Sequence, residues 1–514
     1  MSQGLKDKPE PTLFLVANEI YGHIPKGHFY KRLGELLDLS FVYELTKPLY
    51  AQTMGRPSLD PTVFFKCMLI GFFENIVYDT ELEYRLADSL TFRQFLGYGL
   101  DERTPDESTL RKTRQRMPVE AFNRVFDYVL DICQSNDLLK GRAVGTDGSA
   151  IDANASMDSL CHKELGCSYE DFMLAMRRQD SPDATKSEAI QSDRNREGKA
   201  SNSDWESKTD PESRVIQHAD GHTHLSYKVD TSVDLETGVI VCAGASLANI
   251  SDQADFLERV DEVSETLSER GMELEVMVAD KGHHSGENLA GLEEREIIGL
   301  ISSPKKTRGA PGFRREDFRY DERHDWLLCP AGQILTRRCN KDKNTKEYKA
   351  RGSVCRQCPH FGVCTESKTG RSVSISVYED IILANRERVY SEEARPLMQI
   401  RRQRGEAPFG YFKMFGGLRR FAGRGLAYAV KKTLIAALGW NLLLVVKKLM
   451  RTELANMSVA GLIWFLFQLW SHLRRLLRWG RGVTAEKAGN RRLASQPRSA
   501  MKPIILESSL SGGC

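Results

Sequence analysis

The chain has 514 residues, which at roughly 150 residues per domain suggests about three domains or one large domain with insertions. Hydrophobic residues make up 41% of it, alongside 40 Gly and 18 Pro, and this composition excludes collagen-like, low-complexity and wholly disordered proteins. The 73 Lys and Arg nearly balance the 70 Asp and Glu, so the net charge of +3 excludes nothing.

Residues 1–139 are predicted to form a helical region that binds DNA. Asp60 followed by Pro61 is typical of a helix start, and Thr104 with Glu107 has the spacing of a capping box. The helix opened by Thr104 carries four basic side chains: Arg111, Lys112, Arg114 and Arg116. They form either a solvated basic face or a contact surface for the DNA backbone.

From about residue 140 the pattern indicates strands, and we expect an α/β core made of residues 140–303 and 379–450. The predicted strands are residues 143–151, a hairpin of 225–233 and 239–245, 274–279, and 297–302. A helix capped by Ser251 or Asp252 separates the hairpin from the next strand, and residues 426–450 form a further helix.

Three other segments interrupt or follow this core. Residues 179–214 contain only Ile190 and Trp205 as large apolar residues, which predicts a disordered insertion. Residues 304–378 form a Cys-rich insertion, and residues 451–514 form a basic amphipathic stretch and a loose tail. Within that tail the apolar run 459–473 is shorter than the roughly 20 residues of a bilayer span.

No membrane partner is expected, and the start of the chain gives no targeting signal. Residues 1–11 are polar and lack a basic segment followed by an apolar one. We therefore expect a cytoplasmic protein.

Three acidic residues stand out because each occupies a position where a charge needs a partner. Asp147 lies in the middle of a predicted strand, Asp280 ends another, and Glu406 is the one acid among twelve basic residues between 395 and 450. If folding brings them together, they need cations between them, and a pair of Mg²⁺ ions would satisfy their charge and oxygen chemistry. Alternatively, the aspartates are turn or cap residues and Glu406 pairs with a neighbouring Arg.

The sequence around these acids resembles the three blocks of bacterial insertion-sequence transposases with a DDE core, most closely the insertion-sequence-eleven-eighty-two family. The blocks are GTDGSAI with ANAS from residue 145, ADKG from 279, and EAPFG with Lys413 and GLRRF from 406. The resemblance implies a ribonuclease-H-like mixed sheet and a metal-binding triad of Asp147, Asp280 and Glu406 that holds two Mg²⁺ or Mn²⁺ ions.

It also implies an activity. Such an enzyme cuts double-stranded DNA at element ends, frees a 3′-OH and joins it to target DNA without a covalent protein intermediate, and it acts as a homo-oligomer on DNA. A nuclease of the same fold that does not join strands has the same triad. An inactive DNA-binding derivative would have lost part of the triad, yet all three acids are present.

In relatives the third block runs Tyr, two residues, Arg, three residues, Glu, six residues, Lys. Arg402, Glu406 and Lys413 fit this spacing, but Gln399 stands at the Tyr position. Pro408 predicts a kink or a helix start, which would leave Arg402 outside the helix. Lys413 is expected to contact phosphate, and Arg402, Arg419 and Arg420 are further predicted DNA contacts.

Five of the eleven Cys lie between residues 329 and 364, which predicts a structural zinc site rather than disulfides. By resemblance to relatives the ligands are Cys329, Cys355, Cys358 and Cys364. Cys339 is then spare or replaces Cys329. Three histidines before or within a predicted strand stay unassigned: His218, His222 and His224.

Overall fold

The structure is a computed structural model, and it describes residues 21–51, 58–193, 201–218, 220–304, 312–338 and 344–456. The chain divides into two compact units, residues 1–446 and 447–514. Cys339, the apolar run 459–473 and most of the predicted tail lie outside the described residues. The features discussed below belong to the first unit, except for the last ten residues of the helix Leu426–Asn456.

The N-terminal region is helical, as predicted. Its helices are α1 (Phe29–Leu36), α2 (Phe41–Thr46), α3 (Pro61–Phe73), α4 (Asp79–Asp88), α5 (Leu90–Leu96), α6 (Glu107–Arg116) and α7 (Val119–Ser135). Asp60 caps α3 by accepting hydrogen bonds from the backbone N–H groups of Thr62 and Val63, and Pro61 follows at the first helical position. Ten of the thirteen residues of α3 are buried, so this helix forms the centre of the region.

Helix α6 has a different cap from the predicted one, and only part of its basic side chains are exposed. Asp106, not Thr104, caps it, because the Asp106 carboxylate accepts from the backbone N–H of Thr109. Two of its four basic residues, Arg111 and Lys112, are exposed, and the other two are packed against the protein. Arg114 is largely buried in an ion pair with Asp79, Arg111 pairs with Glu107, and Arg116 lies over a tyrosine ring.

The core is a mixed sheet with helices on both faces, which confirms the predicted α/β class. Its strands are β1 (Ala143–Asp152), β4 (Arg214–Gln217), β5 (Thr223–Asp234), β6 (Ile240–Leu247), β7 (Val276–Ala279) and β8 (Ile298–Ile301). β5 pairs antiparallel with β1, β4 and β6, whereas β7 is parallel to both β1 and β8. Every strand predicted for the core is present, within three residues at each end.

The two helical layers pack on opposite faces of this sheet. α10 (Phe256–Ser268) and α11 (Gly286–Glu294) cover one face, where Leu289 and Leu292 lie over Gly299. α13 (Glu379–Tyr390) and α14 (Ala394–Phe415) cover the other, where the side chains of Ala143, Val276, Val278 and Leu300 form one cluster with Ala394. The cap of α10 is Asp255 rather than the predicted Ser251 or Asp252.

Each edge of the sheet is closed by a buried asparagine. Asn441, on α15 (Leu426–Asn456), accepts from the Ile240 N–H and donates to its C=O, both at 2.8 Å. Asn385 on α13 bonds the N–H and C=O of Ile301 in the same way at 3.2 and 2.8 Å. These amides satisfy edge groups that would otherwise be buried without partners or open to another chain.

Among the described helices, α15 has the length and hydropathy of a membrane span over Leu426–Thr452. In its most apolar window 72% of the residues are buried inside the protein, which is the arrangement of a core helix.

Part of the segment predicted to be disordered is folded. Residues 160–207 include β2 (Leu160–His162), α8 (Tyr169–Asp180), α9 (Lys186–Asp193) and β3 (Trp205–Ser207). Trp205 is 4% exposed and packs against His162, Tyr169 and Phe172. The disorder prediction is wrong for these residues because Trp205 packs against aromatic side chains of α8 and β2. Those side chains lie outside the polar segment 179–214 on which the prediction was based.

The Cys-rich insertion builds a second, antiparallel sheet with its own small core. Its elements are β9 (Arg319–Asp321), β10 (Trp326–Leu328), β11 (Ile334–Arg338), β12 (Thr345–Lys349), α12 (Gly352–Arg356) and β13 (Ser372–Ser376). Phe318, Leu327, Leu335 and Tyr348 are buried at its centre.

Candidate active site

The register of two parallel strands places Asp147 and Asp280 side by side. Gly145 on β1 is paired with Val278 on β7. Continuing this register by two residues brings Asp147 opposite Asp280, and paired residues of neighbouring strands point to the same face of a sheet. Asp147 therefore lies on the face covered by α14, with Asp280 next to it at the point where β7 ends.

Asp147 is held in a partly buried position by a cation from α14. Arg401 Nη2 lies 3.2 Å from Asp147 Oδ1, and the two side chains are 9% and 19% exposed. Burial raises the pKa of Asp147; Arg401 opposes this rise and the charge of Asp280 adds to it. The contribution from Asp280 agrees with the strand register, which puts the two aspartates next to each other.

Asp280 is held by groups on its own loop. Its Oδ1 accepts hydrogen bonds from His283 Nδ1 at 3.0 Å and from the Gly282 N–H at 2.8 Å. The bond from His283 is the main reason that the pKa of Asp280 is lowered to about 2. Gly282 is needed here, because a Cβ at this position would lie 2.7 Å from Asp252 Oδ2 and 3.0 Å from Asp280 Oδ1.

Glu406 lies on α14, which runs unbroken from Ala394 to Phe415 with Pro408 inside it. The expectation that Pro408 separates Arg402 from the helix is therefore wrong. Arg402, Glu406 and Lys413 share one flank of α14, since offsets of four and seven residues on an α-helix leave them within about 40° of each other.

Lys413 is the residue of this flank whose side chain contacts the sheet. Its Nζ donates to Ser149 Oγ at 2.7 Å, and Ser149 follows Asp147 by two residues on the same face of β1. Burial lowers the pKa of Lys413, and the charge of Asp152 partly opposes this. Lys413 thus carries a cation to the strand that bears Asp147.

The carboxylate of Glu406 is exposed and makes no hydrogen bond or ion pair with any residue that the structure describes. Asp147, Asp280 and Glu406 also do not form a group whose ligand oxygens all lie within 4.8 Å of one another. The structure thus brings the two aspartates together and places Glu406 on the adjacent helix, without direct contact among all three.

The other predicted DNA contacts differ in their surroundings. Arg402 is exposed and makes no hydrogen bond or ion pair in the described part of the chain. Arg419 donates to the Lys413 carbonyl, and Arg420 donates to the carbonyls of Ala153 and Ala155. Arg420 therefore stabilises the position of residues 153–155, which follow β1.

Sequence reasoning missed Arg401, Asp252 and His283. Helical phase could have found Arg401, because residues 401, 405, 408, 409 and 412 form the buried stripe of α14. Asp252 and His283 had no such signal. They join Asp280 in a group whose ligand atoms lie within 4.8 Å of one another, and Asp252 reaches it from the loop after β6.

The four predicted zinc ligands line one small cavity of about 30 Å³. Cys329, Cys355, Cys358 and Cys364 are free thiols, and the first two accept N–H···S bonds from Gln333 and Arg371. Burial raises the pKa of Cys364, and its three Cys neighbours add to the rise. Within the described residues, no three of these sulfurs lie within 4.8 Å of one another.

Two segments of the chain match transposase families. Residues 18–116 match the family described as "Transposase domain (DUF772)", and residues 328–446 match the "Transposase DDE domain". The second match includes Glu406, Lys413 and the four cysteines, whereas Asp147 and Asp280 lie outside both. Together the matches support an insertion-sequence DDE transposase.

No curated protein matches the chain. A solved structure entitled "Cryo-EM structure of piggyBac transposase synaptic complex with hairpin DNA (SNHP)" aligns over 83% of this chain and 75% of that one, at 10% identity and a TM-score of 0.32. A TM-score this low adds nothing to the assignment.

Proposed function

We propose that this protein is a DNA transposase of the insertion-sequence-eleven-eighty-two type, which cuts at element ends and joins the freed 3′-OH to target DNA. The observation that carries the proposal is the pair Asp147–Asp280 on adjacent parallel strands, beneath the helix that bears Glu406 and Lys413. The order β6–β5–β1–β7–β8, with three antiparallel strands followed by two parallel ones, fits a ribonuclease-H-like core.

Asp147, Asp280 and Glu406 are the proposed ligands of two Mg²⁺ or Mn²⁺ ions. Their donor chemistry fits, since hard divalent cations prefer carboxylate oxygen, and the mutual repulsion of the two aspartates is the situation that such cations relieve. When bound, the ions activate the attacking water or 3′-OH and stabilise the leaving oxygen.

The other residues of the site position charge. Arg401 compensates Asp147 and fixes its rotamer, and the N–H of Gly282 with the ring of His283 fixes Asp280. Lys413, which donates to Ser149 Oγ, is the proposed contact to a phosphate next to the carboxylates. No Tyr or Ser nucleophile is part of this proposal.

The proposed DNA contact is a groove whose lining includes Asn154, two residues after the end of β1. A cavity of about 750 Å³ is lined by α4 and α6 of the helical region and by the segment before α15. Four basic side chains line it, Arg111, Arg114, Arg424 and Lys431, together with the acids Asp79 and Glu107. Arg111 and Arg114 pair with these acids, whereas Arg424 is exposed and forms no ion pair among the described residues. Phosphate contacts of this kind give affinity without sequence specificity. The proposal includes a homo-oligomer on the DNA.

The catalytic proposal is tested with labelled DNA carrying the ends of the element and Mg²⁺. Asp147→Asn, Asp280→Asn and Glu406→Gln should each abolish nicking while DNA binding persists, and exposed Glu392→Gln is the matched control. Full activity in any of the three would remove that residue from the triad. Nicked but never joined strands would favour the nuclease reading, and binding without nicking by the unmodified protein would favour an inactive derivative.

Zinc binding by the Cys-rich insertion is a separate part of the proposal. The two N–H···S bonds and the shared cavity support it, and bound zinc would draw the four sulfurs closer together. Metal analysis should find one more zinc per chain in the unmodified protein than in Cys355→Ser with Cys358→Ser. Equal zinc content in the two proteins would contradict the site.

A further inference from the structure

A cluster of two histidines and one aspartate lies at the far end of β1, outside the candidate active site. Asp152 is the last residue of β1, His224 lies in β5 and His218 directly follows β4. Asp152 pairs with Ser226, and the β4–β5 register, which pairs Gln217 with Thr223, continues to His218 opposite His222. Since alternate residues share a face, the cluster side chains all point to one face of the sheet.

The distances within this cluster are close to those of a metal site. Asp152 Oδ1 lies 3.5 Å from His224 Nδ1 and 3.8 Å from His218 Nε2, and one ligand atom from each residue lies within 4.8 Å of the other two. A tetrahedral ion with bonds of roughly 2.0–2.2 Å keeps its ligand atoms about 3.3–3.6 Å apart. Small side-chain movements would therefore complete the geometry.

The groups around the two rings also suit a metal site. Asp220 Oδ2 lies 3.5 Å from His224 Nε2, the nitrogen opposite to the one that faces Asp152. That Nε2 is buried and has no hydrogen-bond acceptor in the described part of the chain. Histidines that bind metals typically donate their second ring N–H to a carboxylate, which fixes the ring. Ser226 Oγ, 2.9 Å from His218 Nε2, is the hydroxyl that a metal would displace.

We propose that Asp152, His218 and His224 bind one divalent transition-metal ion, such as Zn²⁺, with a fourth position left to water. Imidazole nitrogens select zinc-like metals over Mg²⁺, so this site differs in chemistry from the Asp147–Asp280 pair. The ion would join the β4–β5 hairpin to the end of β1, five residues beyond Asp147. The proposal does not depend on the transposase assignment.

Cobalt titration of the full chain tests it, with excess Mg²⁺ present to occupy the carboxylate site. Co²⁺ bound by the cysteines gives thiolate charge-transfer absorption, whereas Co²⁺ bound by histidine and carboxylate gives only ligand-field bands. We expect one equivalent of the second kind in the unmodified protein. It should be lost in His218→Ala, His224→Ala and Asp152→Asn, and Asp220→Asn should weaken it by about 10–100-fold.

His222→Ala is the matched control, since His222 lies on the same hairpin, is exposed, and does not belong to the cluster. It should keep the full equivalent, and thermal unfolding without metal should show that every variant folds. The proposal is overturned if the unmodified protein and His224→Ala bind the same number of non-thiolate cobalt ions. It is equally overturned if His222→Ala loses the ion, because binding is then a property of exposed histidines in general.

Discussion

Replacing Arg401 by Ala tests whether the active-site carboxylates depend on a cation from the protein. In the structure Arg401 is the basic side chain that forms an ion pair with Asp147, and both side chains are largely buried. Removing one partner of a fully buried pair costs roughly 3–5 kcal/mol. Asp147 keeps about a fifth of its exposure, so water partly replaces the lost partner, and we expect a loss of about 2 kcal/mol near neutral pH.

Mg²⁺ should reverse part of this loss. A ligand at ten times its Kd stabilises the folded state by about 1.4 kcal/mol, and tighter binding adds more. Arg401→Ala removes a cation that competes with Mg²⁺ for Asp147, so the variant should gain more from Mg²⁺ than the unmodified protein. Urea unfolding of both proteins, with and without Mg²⁺, measures the difference.

Arg402→Ala is the control, because Arg402 is the next residue on the same helix and is exposed. Surface substitutions of this kind usually change stability by less than about 0.5 kcal/mol. The reasoning fails if the two variants lose equal stability, or if Mg²⁺ stabilises Arg401→Ala no more than it stabilises the unmodified protein.

Three further predictions concern acid stability, the sheet edge and DNA. The lowered pKa of Asp280 contributes stability that is fully present above the unfolded value of 3.8 and is lost as pH falls through about 2. Allowing for its exposure, Asp280→Asn should cost about 1 kcal/mol at about pH 5 and nothing well below about pH 2, and a pH-independent loss in acid unfolding would contradict this. Asn385→Ala leaves both backbone groups of one edge residue unsatisfied and should cost about 2–4 kcal/mol in urea unfolding, whereas a change below about 0.5 kcal/mol would show that water replaces the amide. Arg424→Ala should weaken binding to any duplex and lower the slope of log affinity against log salt by about 1, and Arg124→Ala, outside the groove, should leave that slope unchanged.

The sheet and its aspartates were predictable because their signals are local. Apolar strands such as β7 and the β5–β6 hairpin carry their own pattern, and a charge in the middle or at the end of such a strand is conspicuous. The helix caps were less predictable. Near α6, Thr104, Asp106 and Ser108 are all able to cap a helix, and only the final backbone path selects Asp106.

Features that depend on distant partners could not be read from the sequence. Trp205 looked isolated within a polar segment, yet it is buried by aromatic residues more than thirty positions earlier in the chain. The same holds for Asp252, which reaches the Asp280 loop from another part of the sheet. The composition of a short segment indicates only how much apolar surface that segment can bury against itself, and it takes no account of partners elsewhere in the chain.

Arg401 and Arg402 show that a spacing motif and the helical phase of the apolar residues select different side chains. The motif selects Arg402 through its distance from Glu406, and the phase of the apolar stripe selects Arg401 as the residue that faces Asp147. Lys413 fixes how the motif face is turned, because its amine reaches Ser149 on the strand that bears Asp147. Glu406 lies within about 20° of Lys413 around the helix axis. Its side chain therefore extends on the same flank from which Lys413 reaches β1. Arg401 balances the charge of Asp147 from the buried face of the helix. On the flank that carries Arg402, Glu406 and Lys413, the carboxylate of Glu406 has no partner among the described residues. An exposed acid is stable in water without a partner, so the metal role proposed for Glu406 rests on the motif spacing and on its place on the helix that supplies Arg401 to Asp147.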